Sequence, residues 1–178
     1  MPVDARELRR CLGHFATGVT VVTCEADGAP HGATVNAFSA VSLDPPLVLV
    51  SLDRKSKIGG YLADSPFTVN VLAEEQGEVA LHFAGKPMDG ELEWRRPDPH
   101  LAPHLTGALA TIACTPWRCY DGGDHLIYLG EVAEFEIADN DPLVFYLGGF
   151  RHLGPLHESA PWLESGDCPG VSWFAPSA

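Results

Sequence analysis

The stretch "HGATVNAFSAVSLDPPLVLVSLDRKSK", from His31 to Lys57, decides how the rest of the sequence is interpreted. It begins with small and polar residues, continues into the apolar run "LVLVSL" and ends in a cationic cluster. That cluster holds three of the chain's 11 lysines and arginines, namely Arg54, Lys55 and Lys57. A short apolar run bounded by turn residues predicts a buried β-strand. Positive charge directly after a strand in an acidic chain indicates a local site for an anion.

The whole chain is acidic and has the size of one domain. Its 178 residues carry a formal charge of -13 and are 46% hydrophobic, which indicates a globular protein with a sizeable core. The negative field argues against general binding to nucleic acid or anionic membranes. The N-terminus lacks an apolar signal segment, no apolar run could span a bilayer, and the five cysteines form no CxxC pair. We therefore expect a cytoplasmic protein with reduced thiols and no membrane or nucleic-acid partner.

Most of the sequence alternates apolar with polar residues or is rich in β-branched residues, as is typical of β-strands. Strands are predicted over 18–24, 31–42, 47–52, 67–73, 107–120, 125–137 and 143–150, with a bulge or bend at Gly130. Helices are predicted over 4–16, 56–65 and 74–85, and a long loop over 84–107. Because helices do not alternate with every strand, a mainly antiparallel β-barrel fits better than a doubly wound parallel sheet.

Several common catalytic motifs are absent from the sequence. It contains no GxGxxG after a strand, no GxxxxGK[ST] and no GxSxG. His100 and His104 have the spacing of two ligands on one helical face, but Pro99 and Pro103 disfavour a helix there. A zinc site would also need further ligands at suitable spacing, and we therefore predict no metal site.

Four stretches, taken in order, resemble the flavin reductase family with an FMN-binding split barrel. They are "FATGVTVVTC", the opening stretch, "FTVNVLAEEQGEVALHFAG" and "GGDHLIYLGEVAEFE". Within them the patterns T-x-N-x-F, S-L-D-P-P-L, D-R-K-S and G-D-H recur in register, and no single pattern carries the resemblance. The resemblance covers residues 4–154, which leaves the Pro-rich end of the chain outside it.

The resemblance implies a fold, a reaction and partners. The expected fold is a six-stranded antiparallel Greek-key split β-barrel with short flanking helices over residues 1–154, followed by an irregular tail over 155–178. The expected protein is a homodimeric NAD(P)H:flavin oxidoreductase that transfers a hydride to FAD or FMN. NADH is favoured over NADPH on family grounds. The reduced flavin would then serve a flavin-dependent monooxygenase.

The resemblance places the flavin ring on the T-x-N segment and on the small residues around it, which include Gly32 and Ala33. The small side chains would let the backbone approach the ring closely, and the polar side chains would donate hydrogen bonds. The predicted contacts are Thr34, Val35, Asn36 and Ala37. The family often has serine where this chain has Ala37, which removes one hydroxyl from the flavin side. The alternative for Asn36 is a cap at the end of a strand.

The resemblance also explains the cationic cluster. The flavin's ribityl chain and phosphate would bind the residues after the buried strand, where a planar guanidinium complements a phosphate. The predicted contacts are Ser51, Leu52, Asp53, Arg54, Ser56 and Lys57. The sequence does not choose which basic residue points inward, and the alternative is a solvated run of charge.

The motif Gly123-Asp124-His125 marks a second part of the site. By resemblance His125 lies beside the nicotinamide and is the predicted catalytic residue, since hydride transfer mainly requires close and aligned reacting atoms. Asp124 would shape the turn. A lone histidine in a turn would otherwise be an ordinary surface residue.

Three further contacts are predicted at the margins of the site. Phe83 and Lys86 lie in "HFAGK", which follows a flavin-proximal segment of the family. Arg151 follows the last strand, where the family often reads R-G-x-Y and this chain reads "LGGF". Two other functions remain open: a split-barrel flavoprotein that retains its flavin and oxidises a dedicated substrate, and a non-catalytic flavin-binding protein.

Overall fold

The computed structural model describes residues 3–155 as a mainly β protein with short helices. In chain order its elements are α1 (Ala5–Leu12), β1 (Thr17–Gly18), β2 (Thr20–Ala26), β3 (Ala29–Val35), β4 (Phe38–Leu43), β5 (Pro46–Asp53), α2 (Gly59–Leu62), β6 (Phe67–Val71), α3 (Gly77–Phe83), β7 (Trp94–Arg95), β8 (His104–Leu105), β9 (Ala110–Gly122), β10 (His125–Ile137), β11 (Val144–Tyr146) and β12 (Gly149–Arg151). The predicted tail lies outside the described residues, apart from Pro155.

The largest sheet has seven antiparallel strands in the order β3-β2-β6-β9-β10-β5-β4. In a flat sheet of this width the two edge strands would lie about 29 Å apart, since neighbouring strands are about 4.8 Å apart. However, Val35 ends β3 and Phe38 begins β4, and a connection this short spans at most roughly 11 Å. The sheet must therefore curl until its edges approach each other. The predicted mainly β, antiparallel barrel is confirmed.

Two segments that were predicted as single strands are each divided in the structure. The segment 31–42 forms β3 and β4, which lie at opposite edges of the curled sheet, so the main sheet has seven strands where six were expected. The segment 143–150 turns back at Leu147 and Gly148, whose φ angles are +48° and +80°, and forms the hairpin β11–β12. Neither the break at Asn36 and Ala37 nor the reversal at Leu147 and Gly148 has the Pro or Asn-Gly signal that makes a turn easy to predict.

The interior of the barrel is a contiguous apolar core. It contains side chains from β2, β5, β6 and β10, among them the fully buried Val22, Val50, Phe67 and Tyr128. A second cluster lies outside the barrel wall, where Ala80 of α3 and Phe145 of the hairpin β11–β12 pack with Leu72, which follows β6. The two cores fix the sheet on both faces.

The long hairpin β9–β10 contains the predicted irregularity at Gly130. The register between the two strands shifts between Leu129 and Gly130, which confirms a bulge or bend there. A Cβ atom at this position would lie 2.5 Å from Cζ of Phe67 and 2.7 Å from Cβ of Cys114. The missing side chain therefore lets β10 pass directly over the core.

The segment 84–107 is largely irregular but contains the short pair β7–β8. It rests on a polar layer of the sheet, where Asn70 donates to the carbonyl of Val21 at 2.9 Å and accepts from the amide of Leu105 at 2.8 Å. His104 is buried in this layer, and neither ring nitrogen has a hydrogen-bond partner among the described residues.

Within residues 3–155 no helix is long and apolar enough to cross a bilayer. The same residues contain no group of three side chains suited to hold a metal.

Candidate functional site

Three of the predicted segments meet at one end of β5. The amide of Ser51 donates to the carbonyl of Ala37 at 3.0 Å, which joins the segment 34–37 to the end of β5. On the other side of β5, Asp53 pairs with His125 at the start of β10. The sheet register therefore brings the T-x-N, D-R-K-S and G-D-H motifs together.

Arg54 connects the end of β5 to the β9–β10 turn through backbone and side chain. Its amide donates to the carbonyl of Asp124 at 3.1 Å, and its Nε donates to the carbonyl of Gly123 at 2.6 Å. Its guanidinium also forms an ion pair with the carboxylate of Asp121. The pKa of Asp121 is lowered by the hydrogen bond from the Gly123 amide, at 3.0 Å, and by the Arg54 charge. The turn is thus held against the strand end at several points.

His125 is the predicted catalytic residue, and its ring is partly exposed at this junction. Its Nδ1 lies 2.7 Å from Oδ1 of Asp124. The hydrogen bond with His125 lowers the pKa of Asp124, and the charges of His125 and of Arg9 in α1 add to the effect. An ionised carboxylate only accepts hydrogen bonds, so Nδ1 of His125 is the donor in this pair.

The residues after Asp53 form a tight turn with exposed cations. Oδ1 of Asp53 accepts from the amide of Lys55 at 2.7 Å, and its carbonyl accepts from the amide of Ser56 at 2.8 Å. Lys55 and Lys57 are both exposed beyond this turn. Behind it, the buried Tyr128 donates to the carbonyl of Gly59 at 2.6 Å and ties α2 to the core. A rigid turn that presents two ammonium groups suits an anionic group.

The flavin-ring segment is used partly for packing. The hydroxyl of Thr34 donates to the carbonyl of Ala80 at 2.6 Å and so fastens β3 to α3. The space over Gly32, which the sequence suggested for the flavin, is filled by Phe83, since a Cβ there would lie 2.7 Å from the ring's Cε1. Val35 points into the barrel core, whereas Asn36 is exposed. Asn36 is therefore the polar side chain of this segment that remains open to a ligand.

Of the three marginal residues, Phe83 lies against the flavin-ring segment at Gly32, whereas Lys86 and Arg151 make no hydrogen bond to the junction at β5 among the described residues. Phe83 packs edge-on against Trp94, with ring centroids 6.2 Å apart. Lys86 is exposed in the loop after α3, and Nη1 of Arg151 donates to the carbonyl of its neighbour Phe150 at 2.8 Å. Their roles, like those of the other site residues, stay predictions.

Sequence reasoning missed two charged residues beside the site. Asp121 contacts both Arg54 and the turn, and the charge of Arg9 in α1 helps to lower the pKa of Asp124. A signal for Asp121 was present, because aspartate two residues before a glycine commonly accepts from that glycine's amide. No local signal could place Arg9, because α1 and the turn are more than a hundred residues apart in the chain.

The described residues form a curled antiparallel β-sheet with a cationic turn beside a hairpin histidine, which places the protein among the antiparallel β-barrels. Comparison with known proteins specifies the class further, since the family model described as "Flavin reductase like domain" matches residues 12–154. The chain therefore belongs to the flavin reductase like domain family. The family that the sequence motifs suggested is confirmed.

Curated relatives and solved structures agree with this membership. An NADH-dependent flavin reductase of a Rhodococcus species is 43% identical over 167 residues, covering 90% of this chain and 93% of that protein. The reductase component of a 4-nitrophenol 4-monooxygenase/4-nitrocatechol 2-monooxygenase of Rhodococcus opacus is 37% identical over 90% of this chain and 87% of its own. The NADH:FAD oxidoreductase SgcE6 of Streptomyces globisporus, solved in complex with NAD and FAD fragments, has a TM-score of 0.78 and 37% identity over 87% of this chain and 98% of its own.

Proposed function

We propose that the protein is an NADH-dependent flavin reductase that supplies reduced FAD or FMN to a flavin-dependent monooxygenase. The observation that carries the proposal is the junction of the cationic turn 53–57 with the turn that bears His125. The cationic turn would suit an anionic cofactor, and the adjoining turn would suit a second ligand. The names of the relatives support both the nicotinamide and the monooxygenase.

The residues at the junction fit a flavin. Lys55 and Lys57 offer exposed ammonium groups to a phosphate, and Asn36 offers an amide near the adjoining strand end. The side chain of Ala37 is short, so a flat ring could lie against the backbone of this segment. A bound flavin would supply the hydride acceptor, and the protein would supply binding, orientation and shielding from water.

His125 has an orienting role in this proposal. Asp124 would fix the ring by accepting from Nδ1, and Nε2 would then be the ring nitrogen that contacts the nicotinamide nucleotide. Hydride transfer needs no covalent enzyme intermediate, but it needs reacting atoms about 3–3.5 Å apart and aligned. A histidine held by a neighbouring carboxylate meets this need better than a freely rotating one.

The proposal includes a homodimer. Phe135 and Ile137 lie on one face of β10, pair with Ile112 and Ala110 of β9, and are 65% and 77% exposed. Large apolar side chains exposed together are a common mark of an interface. A second copy that covers this face would remove them from water. Sedimentation equilibrium of the full chain, and of Phe135→Glu, tests this arrangement, and a monomeric unsubstituted chain would contradict it.

The four cysteines in the described part of the chain are free thiols, which fits a reducing compartment such as the cytoplasm. Cytoplasmic location is therefore part of the proposal.

The decisive experiment is anaerobic NADH oxidation with excess FMN or FAD, followed by the flavin absorbance. We expect many flavin molecules to be reduced per protein, and a rate that falls about tenfold or more in His125→Ala. His100→Ala is a matched control, since His100 is exposed in the loop 84–107, away from the junction. NADPH in place of NADH tests the nucleotide preference. Flavin that binds but stays oxidised with either nucleotide would refute the proposed activity.

A further inference from the structure

The carboxylate of Asp121 spans two parts of the site. Oδ1 accepts from the amide of Gly123 within the β9–β10 turn, and Oδ2 pairs with Nη2 of Arg54. Arg54 in turn donates through Nε to the carbonyl of Gly123. Asp121 and Arg54 thus close a ring of hydrogen bonds around the turn that leads to His125.

These contacts occupy part of the guanidinium. An arginine side chain has five N–H donors in a planar fork, and Nε and one donor on Nη2 are already used here. The paired carboxylate also offsets its positive charge. Lys55 and Lys57 stand beyond the turn, and no ion pair involves them among residues 3–155. The lysines are therefore better suited than Arg54 to receive a phosphate.

We propose that Asp121 and Arg54 are positioning residues that fix the turn carrying His125, and that Arg54 is not the principal phosphate ligand. The proposal rests on the proposed reductase function, because it concerns how the histidine is aimed at the nucleotide. Asp121 lies on β9 outside the G-D-H motif, and its pairing gives Arg54 a role other than phosphate binding.

The pair acts on geometry more than on stability. The side chains of Arg54 and Asp121 are 41% and 79% exposed, and exposed ion pairs contribute little to the free energy of unfolding. A displacement of about 1 Å at a reacting centre, in contrast, can lower a rate about hundredfold. Loss of the pair should therefore lower the hydride-transfer rate while leaving the melting temperature unchanged.

The test is a double-mutant cycle with Asp121→Asn, Arg54→Gln and the double variant, measured by anaerobic stopped flow. We expect each single variant to lower the hydride-transfer rate about tenfold to hundredfold, with the double variant no slower than the slower single one. Flavin affinity, measured by fluorescence quenching, should stay the same in all three. Asp139→Asn is the charge-matched control, because Asp139 is an exposed turn residue away from the junction.

Arg54→Lys separates the two roles of Arg54. If Arg54 bound the phosphate, lysine would largely replace it, because lysine keeps the charge. The contacts of Arg54 with Asp121 and Gly123, in contrast, require the planar guanidinium and its Nε donor. We expect Arg54→Lys to transfer hydride as slowly as Arg54→Gln.

Three results would overturn the proposal. They are weaker flavin binding in Arg54→Gln with rescue by Arg54→Lys, additive losses in the double variant, and an unchanged rate in Asp121→Asn. Failure of the reductase function is distinguishable, because the unsubstituted chain would then reduce no flavin with NADH.

Discussion

Substitution of Gly130 by alanine should destabilise the protein more than alanine at any other glycine of the described residues. The new Cβ would lie 2.5 Å from Cζ and 3.0 Å from Cε1 of Phe67, and 2.7 Å from Cβ of Cys114. Phe67 and Cys114 are fully buried, so neither can turn into solvent. β10 is held between β5 and β9 at this position, opposite Val48 and Pro116, so it cannot bend away freely.

The expected magnitude follows from two opposing effects. Overpacking a well-packed core costs about 1–3 kcal/mol, while replacing glycine restricts the unfolded chain and returns about 0.4–1 kcal/mol. We therefore expect the free energy of unfolding to fall by about 1–2 kcal/mol. For a domain of this size that corresponds to a fall of about 2–8 °C in melting temperature.

Urea unfolding followed by tryptophan fluorescence measures this change. Gly18→Ala is the matched control, because Gly18 lies in β1 with nothing within 4 Å of an added Cβ. It should leave the unfolding midpoint unchanged or slightly raised. Phe67→Leu combined with Gly130→Ala should cost less than the two single changes added together, since leucine makes room for the methyl group. If Gly130→Ala were as stable as Gly18→Ala, the packing argument would be refuted.

Two further predictions concern buried groups. Burial lowers the pKa of His104, against the smaller opposite effects of Glu136 and Glu134, so the folded state resists protonation that the unfolded state accepts. The free energy of unfolding should thus decline as pH falls below about 6.5. Urea midpoints at two pH values should show a smaller decline for His104→Phe than for the unsubstituted chain. An equal decline would contradict the attribution to His104. Burial also raises the pKa of Cys24 to about 11 and of Cys114 to about 12. A thiol reagent at neutral pH should therefore label the exposed cysteines and spare these two in peptide mapping, and rapid labelling of either would count against their burial.

Much of the fold could be predicted because its signals are local. The strand 125–137 has the bounds of β10, since alternation of side chains is a property of the segment itself. Gly130 was assigned to an irregularity because glycine within a strand rarely has another reason. The division of 31–42 at Asn36 was not predictable, because it depends on how far the whole sheet curls.

The site was predictable in outline and not in detail. The resemblance named the motifs at 51–57 and 123–125, and the register between β5 and β10 brings them together. The distribution of contacts within the site is a tertiary property. Phe83 fills the space over Gly32, and Asp121 pairs with the guanidinium of Arg54. Neither pairing has a sequence spacing that would reveal it.

The position of His125 depends on the register of the whole β10 strand. Because side chains alternate between faces, a slip of one residue against β5 would turn His125 to the opposite face. Two features prevent such a slip. Gly130 fits over Phe67 in the core, and the contacts of Arg54 with the turn hold the far end of the strand. The first is buried and contributes to stability, while the second is exposed and acts on geometry. Substitutions at the two ends should therefore differ in kind: at Gly130 the folded population falls, and at Arg54 the rate falls in a protein that remains folded.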